Sequence, residues 1–371
     1  MPLPAFGHRG DARLPLAAAP GSGADASQIR RCLVTGGAGF IGSHLVDRLL
    51  ASGCTVTVVD DLSTGLAANL ARIHERLTFI QRDVASAISA GLLPDCVDEV
   101  YHLAAAVGVK LVIQHPIESI ETNVGATSAL LAHAARAWPG TAVFLASSSE
   151  VYGKATTPLF CEDDDVVYGP TTKARWSYAA SKAIDEYLGL AYHQAGMLRV
   201  VIGRFFNTVG PRQVGQYGMV LPNFVRAALA GVPLEVYGDG LQSRCFCDVR
   251  DVVAAVPALL AQPNCHGRVF NIGSDKPITI LALARLVIDT LGCPAKTTTI
   301  PYSAAYGAGF EDLRQREPSL ERIAQAIGWR PTITLEQTIL DLAAHQRSAL
   351  APAVPTLHSV ESVKDSVKVV S

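Results

Sequence analysis

The stretch Thr35-Gly36-Gly37-Ala38-Gly39-Phe40-Ile41-Gly42 decides the fold. An apolar run, Cys32-Leu33-Val34, precedes it, and Leu45, Val46, Leu49 and Leu50 follow at helical spacing. The order is strand, glycine turn, helix. A side chain at Gly36, Gly39 or Gly42 would block close approach of backbone to a ligand, or of helix to strand. The free amides of the first helical turn then face that ligand, a ready seat for a pyrophosphate. A second strand, Val56-Thr57-Val58-Val59, ends in Asp60-Asp61, roughly 20 residues past the turn, where a dinucleotide fold places an acid on the adenosine ribose hydroxyls. An acid there also repels a 2′-phosphate, so NAD is the expected cofactor.

Further strands are predicted at Leu77–Ile80, Glu99–Leu103, Thr141–Leu145 and Arg199–Arg204. Helices are predicted over Pro116–Ala137, which contains Asn123, and over Arg175–Ala195. Strands alternating with helices imply an α/β fold, a Rossmann-type doubly wound parallel sheet. From Gly210 onward short elements alternate with Gly/Pro turns, with helices near 281–291 and 319–327. That pattern suits a smaller C-terminal substrate-binding lobe. The expected division is a disordered tail over 1–28, an NAD-binding domain over 29–205, mainly the lobe over 206–347, and a second tail over 348–371.

The 371 residues are ample for a large core, and 49% of them are hydrophobic. A net charge of −2 suggests no polyanion-binding surface, so no nucleic-acid partner is expected. No apolar run approaches the length of about 18 residues needed to span a membrane. The N-terminus lacks the basic start and apolar stretch of a secretory signal. Eight cysteines are scattered without zinc or disulfide spacing, which fits free thiols in the cytoplasm. No metal is expected: the acidic run Glu162–Asp165 has consecutive carboxylates and reads as a solvated loop. His102 reads as a packed strand residue.

Tyr178 and Lys182 lie four apart on a predicted helix and share a face. An ammonium near a phenol would lower the tyrosine pKa and make it a base for a sugar hydroxyl. The strand at 141–145 runs into Ala146-Ser147-Ser148-Ser149-Glu150. Hydroxyls at the carboxyl end of a parallel strand face the ligand crevice and can stabilise charge on a reacting oxygen.

These motifs resemble an extended short-chain dehydrogenase/reductase, of the NAD-dependent nucleotide-sugar epimerase/dehydratase group. The resemblance covers about residues 30–345 and rests on TGGAGFIGS at 35–43, DDLSTG at 60–65, YHLAA at 101–105, SSSEVYG at 147–153, Tyr178 with Lys182, FNTVGPR at 206–212 and YGDGLQSRCF at 237–246. It implies NAD contacts at Gly36, Gly39, Phe40, Ile41, Gly42, Asp60, Asp83, Val84 and Asn123, besides Tyr178 and Lys182. It implies a catalytic set of Ser148, Ser149, Glu150, Tyr178, Lys182 and Arg244. Asn207, Arg244 and Arg316 match groups that hold the nucleotide diphosphate, where an arginine's planar fork donates two bonds at once. A homodimer is implied by the same resemblance.

Three reactions of this group share C4 oxidation of the sugar and part afterwards. A 4,6-dehydratase needs an Asp-Glu pair, and Ser149-Glu150 stands there instead. A decarboxylase starts from a glucuronic acid, whose C4 ketone makes it a β-keto acid. Ser148-Ser149-Glu150, Arg175-Trp176-Ser177-Tyr178 and Arg244-Cys245-Phe246 resemble UDP-glucuronate decarboxylases. The expected activity is decarboxylation of UDP-glucuronic acid to UDP-xylose or a UDP-4-keto-pentose. A UDP-sugar 4-epimerase is the alternative, since DDLSTG resembles those enzymes too. A non-catalytic NAD-binding protein is a third reading, which the retention of both Tyr178 and Lys182 disfavours.

Overall fold

The structure, a computed structural model, describes residues 29–70, 74–106, 115–155, 157–215, 219–301 and 316–350. The tail expected over 1–28 lies outside them, as do residues 351–371 of the tail expected over 348–371. In chain order the strands are β1 (Arg31–Thr35), β2 (Thr55–Val59), β3 (Leu77–Ile80), β4 (Glu99–His102), β5 (Ala142–Ser148) and β6 (Arg199–Phe205). Four short strands follow: β7 (Thr208–Val209), β8 (Leu234–Tyr237), β9 (Ser243–Cys245) and β10 (Cys247–Asp248). Then come β11 (Arg268–Ile272), β12 (Pro277–Thr279) and β13 (Thr297–Ile300).

One seven-stranded sheet takes the order β11-β6-β5-β4-β1-β2-β3, with every neighbour parallel. The strands are Val- and Ile-rich because such a sheet is covered on both faces. Strand order reverses between β1 and β4, which opens a crevice above their carboxyl ends.

The helices are α1 (Phe40–Ala51), α2 (Val84–Ser89), α3 (Pro116–Ile120), α4 (Ala126–Ala137) and α5 (Arg175–Gln194). Later come α6 (Val220–Ala230), α7 (Val249–Leu260), α8 (Ile280–Leu291), α9 (Glu321–Ile327) and α10 (Leu335–Leu350). One face of the sheet packs against Leu45 and Leu49 of α1, Val252 and Val256 of α7 and Ile323 of α9. The other takes Val84 of α2 and Leu130, Leu131 and Ala134 of α4. Each of these Leu, Val and Ile side chains, fully buried, contributes about 1.5–3 kcal/mol. A separate cluster joins α6, α8 and α10 through Leu221, Val225, Leu283, Val287, Ile339 and Leu342.

Three expectations change here. The helix expected over 116–137 is interrupted by one π-helical turn at Glu121–Gly125. The chain does not leave the sheet for good at residue 205: α7 packs on the sheet and β11 extends it beside β6. The lobe therefore draws on the chain either side of 249–272. Helix α10 also runs to Leu350, beyond the expected end of the lobe.

Candidate active site

A cleft of about 1750 Å³ runs from the glycine turn to the lobe. Every expected cofactor, catalytic and substrate residue lines it except Asn123. At one end Gly36 has φ +69°, and a Cβ there would lie 2.7 Å from the Ala104 nitrogen. A Cβ on Gly42 would lie 2.1 Å from the Gly36 carbonyl oxygen. No side chain fits at either place, so α1 packs onto the turn and the turn stays open to a ligand. Phe40, Ile41 and Gly42 are the first residues of α1 and present its unpaired amides to the cleft.

Asp60 follows β2, with its carboxylate buried beside that turn. Its Oδ2 accepts from the Ala38 amide at 2.9 Å and its Oδ1 from the Leu62 amide at 2.9 Å. Burial pushes its pKa up, while these amide bonds pull the other way. The residue thus fastens the glycine turn as well as lining the cleft. Asp83 caps α2, accepting from the Ser86 amide at 2.9 Å. Burial opposes its charge, but the Ser86 bonds win and hold its pKa below the usual value. The open glycine cradle, the buried acid after β2 and the small Ala104–Ala106 after β4 fit a dinucleotide.

Asn123 is fully buried behind the cleft wall, inside the π-helical turn. Its Oδ1 accepts from the Ala106 amide at 2.8 Å and its Nδ2 donates to Ser181 Oγ at 3.3 Å. It ties the loop after β4 to helix α5.

The reacting end forms where β5 meets α5. Ser148 Oγ accepts from the Glu150 amide at 3.2 Å, and Ser149 is buried. Tyr178 and Lys182 share one face of α5. The expected lowering of the Tyr178 pKa is absent. Burial raises it, with the charges of Glu150 and Asp185 adding to the rise, and a hydrogen bond with Ser148 opposes them. The Lys182 ammonium donates to Asp185 Oδ2 at 3.1 Å instead.

Glu150 sits among three guanidinium groups. Arg316 Nη1 donates to its Oε1 at 2.5 Å and Arg175 Nη2 stands 3.7 Å from its Oε2. Burial works against the carboxylate, but the charges of Arg316, Arg175 and Arg244 together hold its pKa below the usual range. Arg316 and Arg244 are themselves buried, at 5% and 8% exposure. Asn207 has φ +22°, and its Nδ2 donates to the Cys245 carbonyl at 3.1 Å. It thereby tethers the strand that carries Arg244.

His102 is packed, as expected. Thr35 Oγ1 lies 2.7 Å from its Nδ1 and Thr127 Oγ1 lies 3.0 Å from its Nε2. Burial, helped by the Lys182 charge, lowers its pKa to about 3, so the ring is neutral. The acidic run is only partly a solvated loop. Asp163 is exposed, whereas Glu162 is buried and accepts from the Asn271 amide at 2.9 Å. No metal-binding group of His, Cys, Asp or Glu occurs among the described residues. The eight cysteines are all free. No helix among the described residues is long and apolar enough to cross a membrane.

Sequence reasoning gave Asp185 no role and assigned none to Arg175. Asp185 could have been found three residues after Lys182, on the same helical face. Arg175 had no local signal for its partner, since Glu150 meets it only through the tertiary fold. The same holds for Glu186, whose Oε1 accepts from Ser147 at 2.5 Å and from Arg204 Nε at 2.9 Å.

Residues 32–273 match the profile of the NAD dependent epimerase/dehydratase family. The chain is 41% identical over 313 residues to the UDP-N-acetyl-alpha-D-glucosaminuronate decarboxylase of Bacillus cytotoxicus, covering 83% of this chain and 95% of that one. It is 37% identical to UDP-glucuronic acid decarboxylase 4 of Arabidopsis thaliana, over 84% of this chain and 67% of the relative. Its fold is similar to that of DesIV, a dTDP-glucose 4,6-dehydratase from Streptomyces venezuelae solved with NAD and TYD bound. The TM-score is 0.74 at 31% identity, over 86% of this chain and 97% of that one. With the glycine cradle, the buried acid after β2 and the Tyr-Lys helix in one cleft, the chain belongs to the NAD-dependent epimerase/dehydratase family of extended short-chain dehydrogenases/reductases.

Proposed function

We propose that this chain is an NAD-dependent decarboxylase of a UDP-linked hexuronic acid. The observation that carries the reading is the cluster of Arg175, Arg244 and Arg316 around Glu150 beside Tyr178. Cations at the reacting end, in excess of the one carboxylate, suit a substrate with an acid on its sugar as well as a diphosphate. A 4-epimerase acting on UDP-glucose needs cations for the diphosphate alone; one acting on UDP-glucuronate would need the same cluster, and against it stand the decarboxylase names of the similar proteins. A serine at 149 is too weak an acid to expel hydroxide, which argues against dehydration.

The glycine turn, Asp60, Asp83 and Val84 would hold NAD, which when bound supplies the acceptor for the C4 hydride. Tyr178 takes the proton of the C4 hydroxyl, and Ser148 hydrogen-bonds the same oxygen. With a ketone at C4 the C6 carboxylate is a β-keto acid. The C5–C6 bond breaks, CO2 leaves, and the electron pair passes into an enolate whose oxygen Ser148 and Tyr178 stabilise. Glu150 already engages Arg316 and Arg175, so the substrate's carboxylate receives only a share of their charge and is left free to depart as neutral CO2. Proton delivery to C5 then completes the 4-keto-pentose. Asn207, Arg244 and Arg316 would hold the diphosphate, and Asn123 would keep α5 in register with the loop after β4.

We also propose a homodimer. Ile117 and Ile120 on α3 and Ile184 and Tyr187 on α5 are exposed apolar side chains on helices that pack together, a face suited to a second copy. Eight free thiols suit a reducing compartment such as the cytoplasm.

The test is incubation with NAD and either UDP-glucuronic acid or UDP-N-acetylglucosaminuronic acid, with products read by mass and NMR. A product lighter by CO2 is expected from one of them, and its C4 state tells whether hydride is returned. An isomer of unchanged mass would make the chain a 4-epimerase and overturn the proposal.

A further inference from the structure

Tyr178, Lys182 and Asp185 stand at positions i, i+4 and i+7 of α5, along one face over two turns. Lys182 and Asp185 are each 3% exposed, and the ammonium meets Oδ2 at 3.1 Å. Oδ1 has no hydrogen-bond partner among the described residues. The Thr127 hydroxyl, 2.9 Å from the Asn123 carbonyl, also lies close enough to favour the charged carboxylate, against the rise that burial imposes on its pKa. The Asp185 charge reaches past Lys182 to Tyr178. Of the other charged groups around the site, Glu150, held among Arg175, Arg244 and Arg316, adds its own charge to the rise at Tyr178, Glu186 is bonded by Arg204 and Ser147, and His102 on β4 is neutral.

We infer that Asp185 is a positioning residue: its carboxylate draws the Lys182 ammonium along α5, away from Tyr178, and offsets its charge there. On this account Asp185, and not Lys182 alone, sets the pH at which Tyr178 becomes a base. The inference rests on the assignment of Tyr178 as the base in the proposed reaction. It gives that base a purpose beyond strength. A phenol made too acidic by an unopposed ammonium would return the C4 proton readily, but its phenolate would be too weak a base to take it, and the proposed sequence needs both transfers whenever the ketone is reduced again.

Two effects act in one direction when the Asp185 charge is removed. The negative field at the phenol disappears, and the ammonium is released toward it. About 10 Å of helix separates the two positions, where one unit charge moves a titration by about one pH unit. The relaxation of Lys182 adds to this.

The experiment uses the full chain loaded with NAD and labelled with 13Cζ-tyrosine, the Tyr178 resonance being assigned by its loss in Tyr178→Phe. In Asp185→Asn the titration of that resonance should move down by about one pH unit or more. In Asp185→Glu, which keeps the charge, it should stay within ~0.3 of the wild type. Asp185→Ser serves the same reading if the asparagine variant does not fold. No movement in Asp185→Asn or Asp185→Ser, or an equal movement in Asp185→Glu, overturns the inference. Turnover of the two UDP-uronic acids by the wild type, measured alongside, separates the two claims. A shift without decarboxylation removes the proposed reaction and keeps the positioning role; decarboxylation without a shift does the reverse.

Discussion

Replacing Glu150 by glutamine removes one charge and almost no volume, and its effects on binding and on catalysis should have opposite signs. Arg316 Nη1 donates to Glu150 Oε1 at 2.5 Å, with Arg316 6% and Glu150 20% exposed by side chain. A UDP-sugar whose diphosphate needs Arg316 must compete with that carboxylate. A hydrogen bond to a charged group is worth about 1.5–3 kcal/mol, against about 1 kcal/mol for a neutral one. The substituted side chain would still offer an amide oxygen, so the competition should weaken by about 0.5–2 kcal/mol. UDP should then bind roughly two- to thirty-fold more tightly. Decarboxylation should fall by at least ~100-fold, since the group facing the reacting carboxylate has lost its charge. Calorimetric titration of NAD-loaded Glu150→Gln with UDP reads the first effect, and CO2 release in a single turnover reads the second. Unchanged or weaker UDP binding would refute the competition. Decarboxylation at the full rate would remove Glu150 from the chemistry.

Tyr178→Phe should lose turnover by about 10²–10⁴-fold while keeping its NAD, measured as cofactor retained through purification; retention of wild-type turnover would show that another group is the base. Gly42→Ala places a methyl 2.1 Å from the Gly36 carbonyl oxygen and should destabilise by about 1–3 kcal/mol in denaturant titration. Gly125→Ala, where a Cβ meets nothing within 4 Å, should be neutral or better, so similar costs at the two sites would count against the packing argument. His102 is neutral in the fold with a pKa of about 3, whereas an unfolded histidine takes a proton below about 6.5. Its contribution is thus complete above pH 6.5 and is lost as pH falls, by about 2 kcal/mol between pH 6.5 and 5. Denaturant titrations at pH 7.5 and pH 5 should show a smaller difference for His102→Gln than for the wild type; equal differences would mean that the ring does not carry that dependence.

Six of the seven strands of the sheet were readable because each is local, apolar and bounded by turns, and because the glycine spacing around Gly36 admits few structures; β11 was not, since it lies among the short elements read as the lobe. The cofactor end was readable for the same reason: Gly42 and Asp60 act through backbone that lies close in sequence. The reacting end was only half legible. Tyr178 and Lys182 were recognisable four residues apart, but the pair's electrostatics depend on Asp185 and on burial, which spacing does not report. Glu150 was singled out, yet its partners Arg175 and Arg316 come from α5 and from the segment before α9. No local pattern brings them together. The π-helical turn at Asn123 was invisible because one extra residue per turn leaves the apolar periodicity of 116–137 almost unchanged.

The return of the chain to β6 through α7 and β11 has a consequence for anyone wishing to graft this substrate lobe onto another dinucleotide-binding scaffold. A single splice after residue 205 would carry off the seventh strand with the lobe and leave β6 as a bare edge, open to pairing with another molecule. A workable chimera has to exchange chain on both sides of 249–272 while leaving α9, which also covers the sheet, with the scaffold. Shuffling at residue level inside the exchanged chain is the gentler route to new sugar preferences.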